Sequence, residues 1–231
     1  MGISSYLKII GRGSKGAGDL AHEQAKEVFT AILEGSVSDL EIGAFCIAMR
    51  IKGESASELN GFIDALNPFI ARLNIGSRQT IVLPSYNGAR RLPLLTPLLA
   101  HLLAREGLAV LVHGSRTEAT RITCDQLFAA LGEASTTDHV SMRAAAVTLV
   151  PTQQLHAGLQ RLLDVRRVVG LRNSAHSLVK LMNVVTGPAL RVASYTHPEY
   201  ALSMSATFGL LQAHALLLRG TEGEVVADAR R

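Results

Sequence analysis

The pattern of apolar residues changes near residue 75, and this change limits the possible folds more than any other feature. Helical periodicity runs from Asp19 to about Leu73, whereas β-rich runs alternate with helices from Thr80 onward. Such alternation predicts a mainly parallel sheet flanked by helices. We therefore expect a small all-α domain over residues 1–75 and a larger α/β domain over residues 76–231.

The individual elements follow from apolar periodicity and from capping residues. The predicted helix starts in the first part are Asp19, Ser38 and either Ser55 or Ser57. The predicted strands are Thr80–Leu83, Ala109–His113, Ala146–Val150, and either Val165–Gly170 or Arg191–Tyr195. The predicted helices between them are Leu94–Arg105, Thr123–Leu131 and Ser174–Met182.

The segment from Pro84 to Arg91 lies where a strand is expected to give way to a helix. Ligands of parallel sheets bind beyond the carboxyl ends of the strands. A glycine loop before a helix commonly holds phosphate there, because its backbone N–H groups converge on the anion. In this chain one glycine, Gly88, stands among Pro, Tyr, Asn and two Arg residues. The sequence predicts the scaffold of a phosphate site with altered chemistry.

Three segments resemble, in order and spacing, those of anthranilate phosphoribosyltransferase, a member of glycosyltransferase family 3. They are a helical segment from Ala31 to Glu54, Val112–Arg116, which is similar to the family's KHGNR, and Val165–Arg172, which is similar to VRxxLGxR. The resemblance implies a small helical domain that often dimerises, and an α/β domain of the nucleoside phosphorylase/phosphoribosyltransferase type. Family members extend well beyond Arg231, so we expect the α/β domain to lack its C-terminal part here.

Most active-site positions that the resemblance implies carry other residues. The family's GTGGD phosphate loop falls on Pro84–Gly88, so three glycines that allow close approach are replaced by Pro84, Tyr86 and Asn87. Their side chains, or the fixed φ of proline, would obstruct pyrophosphate. Arg166 is retained and matches the family's Arg that contacts the anthranilate carboxylate.

The family's acidic pair, which helps to hold magnesium against phosphoribosyl pyrophosphate, falls on Val225 and Val226. A hard cation lacks its ligands where carboxylates are missing. Glu222 and Glu224 are the nearby carboxylates that would have to compensate. We expect no catalytic residue and no metal ligand.

These changes resemble a divergent bacterial branch of the family whose members are homodimeric nucleic-acid-binding proteins. The resemblance implies a non-catalytic, sequence-tolerant DNA- or RNA-binding protein that contacts phosphates through Arg and Lys. The expected nucleic-acid or phosphate contacts are Arg12, Lys15, Asn87, Gly88, Arg90, Arg91, His113, Arg116, Arg166, Arg172 and Lys180.

Two other interpretations remain open. One is a phosphoribosyltransferase with an altered substrate, which would use phosphoribosyl pyrophosphate with magnesium. The other is a regulatory protein that binds a small phosphate ester and signals through dimer contacts. At the residue level, His113 and Arg116 are equally well explained as braces of their loop. Residues 11–16 fit GxGxxG but follow a helix, which favours a basic loop over a dinucleotide site.

Charge and cysteine content bound the partners and the compartment. A net charge of +4 permits an anionic partner without requiring one. Cys46 and Cys124 lack metal-ligand spacing, which is typical of reduced thiols in the cytoplasm. No apolar run reaches the ~20 residues of a membrane span. We expect a cytoplasmic homodimer with no cofactor and no membrane contact.

Overall fold

The computed structural model describes residues 2–133, 135 and 142–228, apart from the side chain of Ser14. The first part of the described chain is helical, as the periodicity predicts, and carries one short 3-10 turn after its last helix. Its helices are α1 (Ser4–Ile10), α2 (Gly13–Gly16), α3 (His22–Glu34), α4 (Asp39–Lys52) and α5 (Ala56–Leu66).

Capping residues begin two of these helices as predicted. The hydroxyls of Ser38 and Ser55 each accept an N–H from three residues further on, which satisfies a backbone donor that has no partner within the helix. The prediction for α3 is wrong, because that helix begins at His22 and not after Asp19. Asp19 instead forms an ion pair of 2.6 Å with Lys52.

The second part forms a five-stranded parallel sheet with the order β4-β3-β2-β6-β7, and a two-stranded parallel pair of β1 with β5. The predicted mainly parallel sheet is confirmed. The strands are β1 (Leu73–Asn74), β2 (Thr80–Ser85), β3 (Ala109–Gly114), β4 (Ala146–Pro151), β5 (Val185–Thr186), β6 (Ala189–Tyr195) and β7 (Ala215–Arg219). The helices are α6 (Thr96–Arg105), α7 (Cys124–Ala130), α8 (Thr152–Leu155), α9 (Ala157–Val169), α10 (Ala175–Leu181) and α11 (Pro198–Leu210).

Of the two alternatives for a strand, Arg191–Tyr195 is correct and Val165–Gly170 is wrong. The latter forms the end of α9, and Gly170 terminates that helix in the left-handed conformation. Leu159, Leu162 and Leu163 are buried at helical spacing in α9, so the period of the whole helix outweighs the β-branched residues near its end.

Helices from both parts of the chain share one apolar core. Three rings from the first part, Phe29, Phe45 and Phe62, lie at its centre with centroids 4.7 to 6.4 Å apart. α9 packs against α3, and Arg161 donates a hydrogen bond of 2.8 Å to the Ile32 carbonyl. The core is therefore continuous across the expected division near residue 75, which stays a prediction.

The topology gathers several connections at one edge of the sheet. β2 is central, and its neighbours β3 and β6 lead the chain away in opposite directions. Ligands of open parallel sheets bind at such a switch point, outside the carboxyl ends of the strands. The segment that follows β2, Tyr86–Leu95, lies at this point; it is called the β2–α6 loop below. Among the described residues, no helix is long and apolar enough to cross a membrane.

Candidate functional site

The backbone N–H groups at the start of the β2–α6 loop converge on a carboxylate of the chain itself. Oε1 of Glu224 accepts from the N–H groups of Asn87 and Gly88, each at 2.8 Å. Oε2 accepts from the hydroxyls of Ser85 at 2.6 Å and Thr96 at 3.1 Å. Glu224 is only 3% exposed, so this four-donor cradle is closed from solvent by the residue that fills it.

A second carboxylate holds the next part of the loop. Glu222 accepts from the N–H of Arg90 at 2.7 Å and from that of Arg91 at 3.1 Å. Burial raises the pKa of the Glu222 carboxyl, but the hydrogen bonds from these N–H groups outweigh it, so the pKa lies below its usual range. Glu222 has a φ of 52°, which is unfavourable for a residue other than glycine and is held by these contacts.

The turn that carries both carboxylates, Gly220–Glu224, packs directly on the loop. Gly223 has a φ of 85°, and a Cβ there would lie 1.7 Å from Nδ2 of Asn87. A Cβ at Gly220 would lie 2.0 Å from the Glu224 carbonyl oxygen. Gly88, on the loop side, has a φ of 65° and no room for a Cβ beside the Ile122 carbonyl. Glycine is thus needed on both sides of the contact.

Lys180 supports the turn from inside the protein. Its Nζ donates to the carbonyl oxygens of Ser194 at 3.0 Å and Gly223 at 3.1 Å, and to the Ser194 hydroxyl at 3.3 Å. Burial lowers the pKa of Lys180 to about 8, although the charge of Glu224 opposes this. The three donors of the ammonium group are all used within the protein.

His113 lies behind the loop in a buried hydrogen-bond chain. Its Nδ1 is 2.8 Å from the Tyr86 hydroxyl, which is 2.7 Å from the hydroxyl of Thr152. His113 is 1% exposed, and burial lowers its pKa to about 3. Of the two roles left open for His113, the structure shows the bracing one.

These positions correct the expectation for four of the proposed phosphate contacts. The N–H groups of Asn87 and Gly88 are taken by Glu224, and the side chains of His113 and Lys180 are buried and hydrogen-bonded. Phosphate contact by these groups would require the surrounding structure to open.

A cleft of about 950 Å³ adjoins the loop, between helices of the first part and the carboxyl edge of the sheet. Cationic side chains in its wall outnumber carboxylates, which favours an anionic occupant. The cations are Arg50, Lys52, Arg121 and Arg172, besides Lys180, whose donors are all used within the protein, and the carboxylates are Glu54, Glu199 and Glu222.

Arg172 lines this cleft and has no polar partner among the described residues. Its half-buried side chain makes no hydrogen bond and no ion pair with the described part of the chain. Burial, together with the neighbouring charges of Arg166 and Arg121, lowers its pKa to about 10. Those two neighbours share Glu118 as an ion-pair partner. Glu118 therefore pairs with two of the three neighbouring guanidinium groups, and Arg172 has no ion pair with the described residues.

The other expected contacts are exposed but not gathered together. The side chains of Arg90 and Arg91 are exposed and have no partner among the described residues, and their backbone is fixed at the edge of the cleft by Glu222. Arg116 lines a separate cleft of about 360 Å³. Arg12 and Lys15 lie in the first part and are absent from the walls of both clefts.

The carboxylates that shortly precede Val225 and Val226 in the chain are those of Glu222 and Glu224, and the loop engages both. No group of three or more His, Cys, Asp or Glu residues that could bind a metal occurs in the part of the chain that the structure describes. Val225 is buried, and the carboxylates of Glu222 and Glu224 are engaged by the loop. The residues present do not fit a magnesium-bound pyrophosphate.

Sequence reasoning missed the main role of Glu222 and Glu224, which it considered only as metal ligands. The available signal was their place a few residues after an apolar run, Ala215–Leu218, which lies in β7 beside β6. A carboxylate at the end of a parallel strand is positioned to meet the donors of a neighbouring loop.

Comparisons with known proteins agree with the fold. Residues 4–67 match the helical bundle domain of the glycosyl transferase family. The uncharacterized protein YbiB of Escherichia coli is 39% identical over 100% of this chain and 74% of that protein. The anthranilate phosphoribosyltransferase of Sorangium cellulosum is 27% identical over 87% of this chain and 59% of that enzyme.

Solved structures show the same architecture. The crystal structure of anthranilate phosphoribosyltransferase from Thermus thermophilus superposes with a TM-score of 0.74 at 22% identity, over 95% of this chain and 67% of that chain. The Saccharomyces cerevisiae enzyme in complex with PRPP and Mg gives a TM-score of 0.71 at 13% identity, over 96% and 66% of the two chains. The motifs and the fold therefore point to the same set of proteins.

Proposed function

The chain belongs to the anthranilate phosphoribosyltransferase-like proteins of glycosyltransferase family 3, and we propose that within this family it is a non-catalytic, sequence-tolerant nucleic-acid-binding protein. The observation that carries the proposal is the state of the β2–α6 loop. Its inward N–H groups are occupied by the protein's own carboxylates, while the guanidinium groups of Arg90 and Arg91 are exposed without partners in the described structure. The loop thus offers cations to a large external anion.

The cleft beside the loop supports a polyanion as the ligand. Arg172 lacks a partner among the described residues, and its neighbours Arg121 and Arg166 share a single carboxylate. Arg side chains at such positions contact backbone phosphates and release condensed counterions, which gives affinity without reading the sequence. Arg90, Arg91 and Arg172 are the contacts that we propose first, and Arg12, Lys15 and Arg116 are peripheral ones.

The test is a salt series of binding assays with single- and double-stranded DNA and with RNA. The Arg90→Ala/Arg91→Ala variant is expected to bind all of them about tenfold or more weakly, with a salt slope smaller by about one to two. The matched control, Arg78→Ala/Arg105→Ala, removes the same charge at the opposite edge of the sheet. Affinity of the wild type that is nearly independent of salt would sink the proposal.

We propose that the protein acts as a homodimer through α4. This helix exposes an apolar stripe of Leu40, Ala44, Ile47 and Ile51, and contiguous apolar surface of this kind marks an association site. The open space around Gly43 allows a second copy of the chain to approach closely. We also propose that the protein is cytoplasmic, since both cysteines are free thiols, and that it needs no cofactor, since the carboxylates beside the loop are engaged by backbone N–H groups.

A second candidate function is phosphoribosyl transfer to an altered acceptor. It is favoured by those curated relatives that are named anthranilate phosphoribosyltransferases, at 27% identity or less, and by retention of Arg166 close to Arg172 of the cleft. It requires phosphoribosyl pyrophosphate and magnesium. Calorimetric titration with phosphoribosyl pyrophosphate, with and without magnesium, tests this function. Magnesium-dependent binding would support transfer, and its absence would exclude it.

A further inference from the structure

The donor set around Glu224 has the chemistry of an oxyanion site. Two backbone N–H groups and two hydroxyls point at one small volume, from Asn87, Gly88, Ser85 and Thr96. Such converging donors at the end of a strand are the usual cradle for a phosphate. A carboxylate satisfies the same donors because it also offers two anionic oxygens.

We infer that Glu222 and Glu224 form an internal ligand that permanently fills the anion site of the β2–α6 loop and closes it to free phosphate and pyrophosphate. This inference goes beyond the proposed function and does not depend on it, since it concerns only what the inner face of the loop binds. At the positions where the resembled family has its phosphate loop, the carboxylates of Glu222 and Glu224 take the place of a bound anion.

The covalent connection favours the internal ligand over a free one. A tethered group is present at a high effective concentration wherever its linker fits the span. Here the linker is the Gly220–Glu224 turn, and Lys180 fixes it through the Gly223 carbonyl at 3.1 Å. A free phosphate would have to expel Glu224 from a buried position, and moving the turn would cost Lys180 its hydrogen bond to the Gly223 carbonyl.

The backbone of the turn is shaped for this contact. Gly223 and Gly220 have no room for a Cβ, and Glu222 keeps a φ of 52°. Strained backbone at a specific contact persists only where the surroundings over-determine it. The turn is therefore a fixed part of the structure, and the donors of Ser85, Asn87, Gly88 and Thr96 are not available to a free anion.

The experiment follows the backbone amide resonances of Asn87 and Gly88 by NMR while inorganic pyrophosphate is added, with and without Mg²⁺. In the wild type we expect no pyrophosphate-dependent shift at these two amides. In the Glu224→Ala variant we expect saturable shifts at both, because the cradle is empty. Shifts at these amides in the wild type would overturn the inference, and so would a folded Glu224→Ala variant without them.

The control is Glu58→Ala, which also removes a buried carboxylate that accepts two backbone N–H bonds, from Leu20 and Ser55, each at 2.8 Å. Its Asn87 and Gly88 amides should stay unresponsive to pyrophosphate. If Glu224→Ala does not fold, the variant Glu222→Ala tests the same inference at the N–H groups of Arg90 and Arg91, which Glu222 occupies. Pyrophosphate should then shift the amides of Arg90 and Arg91, and unchanged resonances would overturn the assignment.

Discussion

At the scale of single residues, the most tightly constrained group is the buried chain of His113, Tyr86 and Thr152. It joins β3 to the start of the β2–α6 loop and to α8, and the Thr152 hydroxyl donates onward to the Gly114 carbonyl at 3.0 Å. A residue that the sequence suggested as a phosphate contact, His113, thus helps to hold three elements together at the carboxyl edge of the sheet.

Removing one hydroxyl from this chain should destabilise the protein. In Tyr86→Phe, Nδ1 of His113 loses its partner in a buried place, which costs about 1–3 kcal/mol. The measurement is the free energy of unfolding in urea. Tyr6→Phe is the matched control, since its hydroxyl bonds Glu27 at 2.5 Å at an exposed site and should cost at most a few tenths of a kcal/mol. Equal losses in the two variants would contradict the buried network.

The same burial predicts a loss of stability in acid. Burial lowers the pKa of both His113 and His176 to about 3, and nearby Arg172 and Arg166 also depress that of His176. A folded pKa below the unfolded value of about 6.5 means that the unfolded state binds more protons. The stabilisation is therefore complete above pH 6.5 and is lost as the pH falls towards 3.

Comparison with a variant isolates this contribution from that of the carboxyl groups. Between pH 6 and pH 4, the unfolding free energy of His113→Gln should fall less steeply than that of the wild type, by roughly 1 kcal/mol per pH unit. Urea unfolding at several pH values measures both slopes. Identical slopes would show that His113 does not remain neutral in the folded state.

At the scale of elements, local pattern predicted most of the sheet but not all of it. β2, β3 and β4 extend only one or two residues beyond their predicted ends. β7 was missed, and Val165–Gly170 was left as a possible strand, because short apolar runs do not separate strand from helix by periodicity alone. The helical spacing of the buried leucines over the whole of α9 decided the second case.

The site was half predictable for a related reason. The loop and its convergent donors follow from a strand, a single glycine and a helix in local sequence. Their occupant, Glu224, lies more than 130 residues from Asn87 along the chain, and the pairing of β7 beside β6 brings the two together. A contact that depends on the order of strands in the sheet cannot be predicted from the spacing of residues along the chain.

The fit between the Gly220–Glu224 turn and the loop makes a prediction about glycine. Gly223→Ala should cost several kcal/mol, because it adds a methyl group against Asn87 to the strain of a positive φ. Gly107→Ala is the control: its φ is 92°, and a Cβ there would have nothing within 4 Å, so only about 1 kcal/mol of backbone strain is expected. Thermal or urea unfolding compares the two.

If the two glycine variants were equally stable, the turn would not be packed on the loop. If Gly223→Ala is the less stable variant, a second measurement checks the cause, because a displaced turn also releases Glu224. Protection of the Asn87 and Gly88 amides from hydrogen exchange should then fall in Gly223→Ala and stay unchanged in Gly107→Ala.

At the scale of the whole molecule, the helical part carries an exposed face that the described chain leaves uncovered. Leu40 is 85% exposed and Ile51 is 58% exposed on α4, three turns apart on one side of the helix. The opposite side of α4 packs Phe45 and Met49 into the core. A helix that is apolar on both sides is usually buried on both, which a second copy of the chain would achieve.

Charging this face should therefore separate the proposed dimer. Leu40→Lys/Ile51→Lys places two cations against their symmetry mates, where the loss of apolar burial and the like-charge repulsion act together. Light scattering after size exclusion should show the monomer mass of 24.6 kDa for this variant and twice that for the wild type. Leu98→Lys/Leu131→Lys, on exposed residues of the α/β part, is the matched control and should keep the wild-type mass. A wild type of monomer mass across a dilution series, or an α4 variant that stays dimeric, would contradict association through this helix.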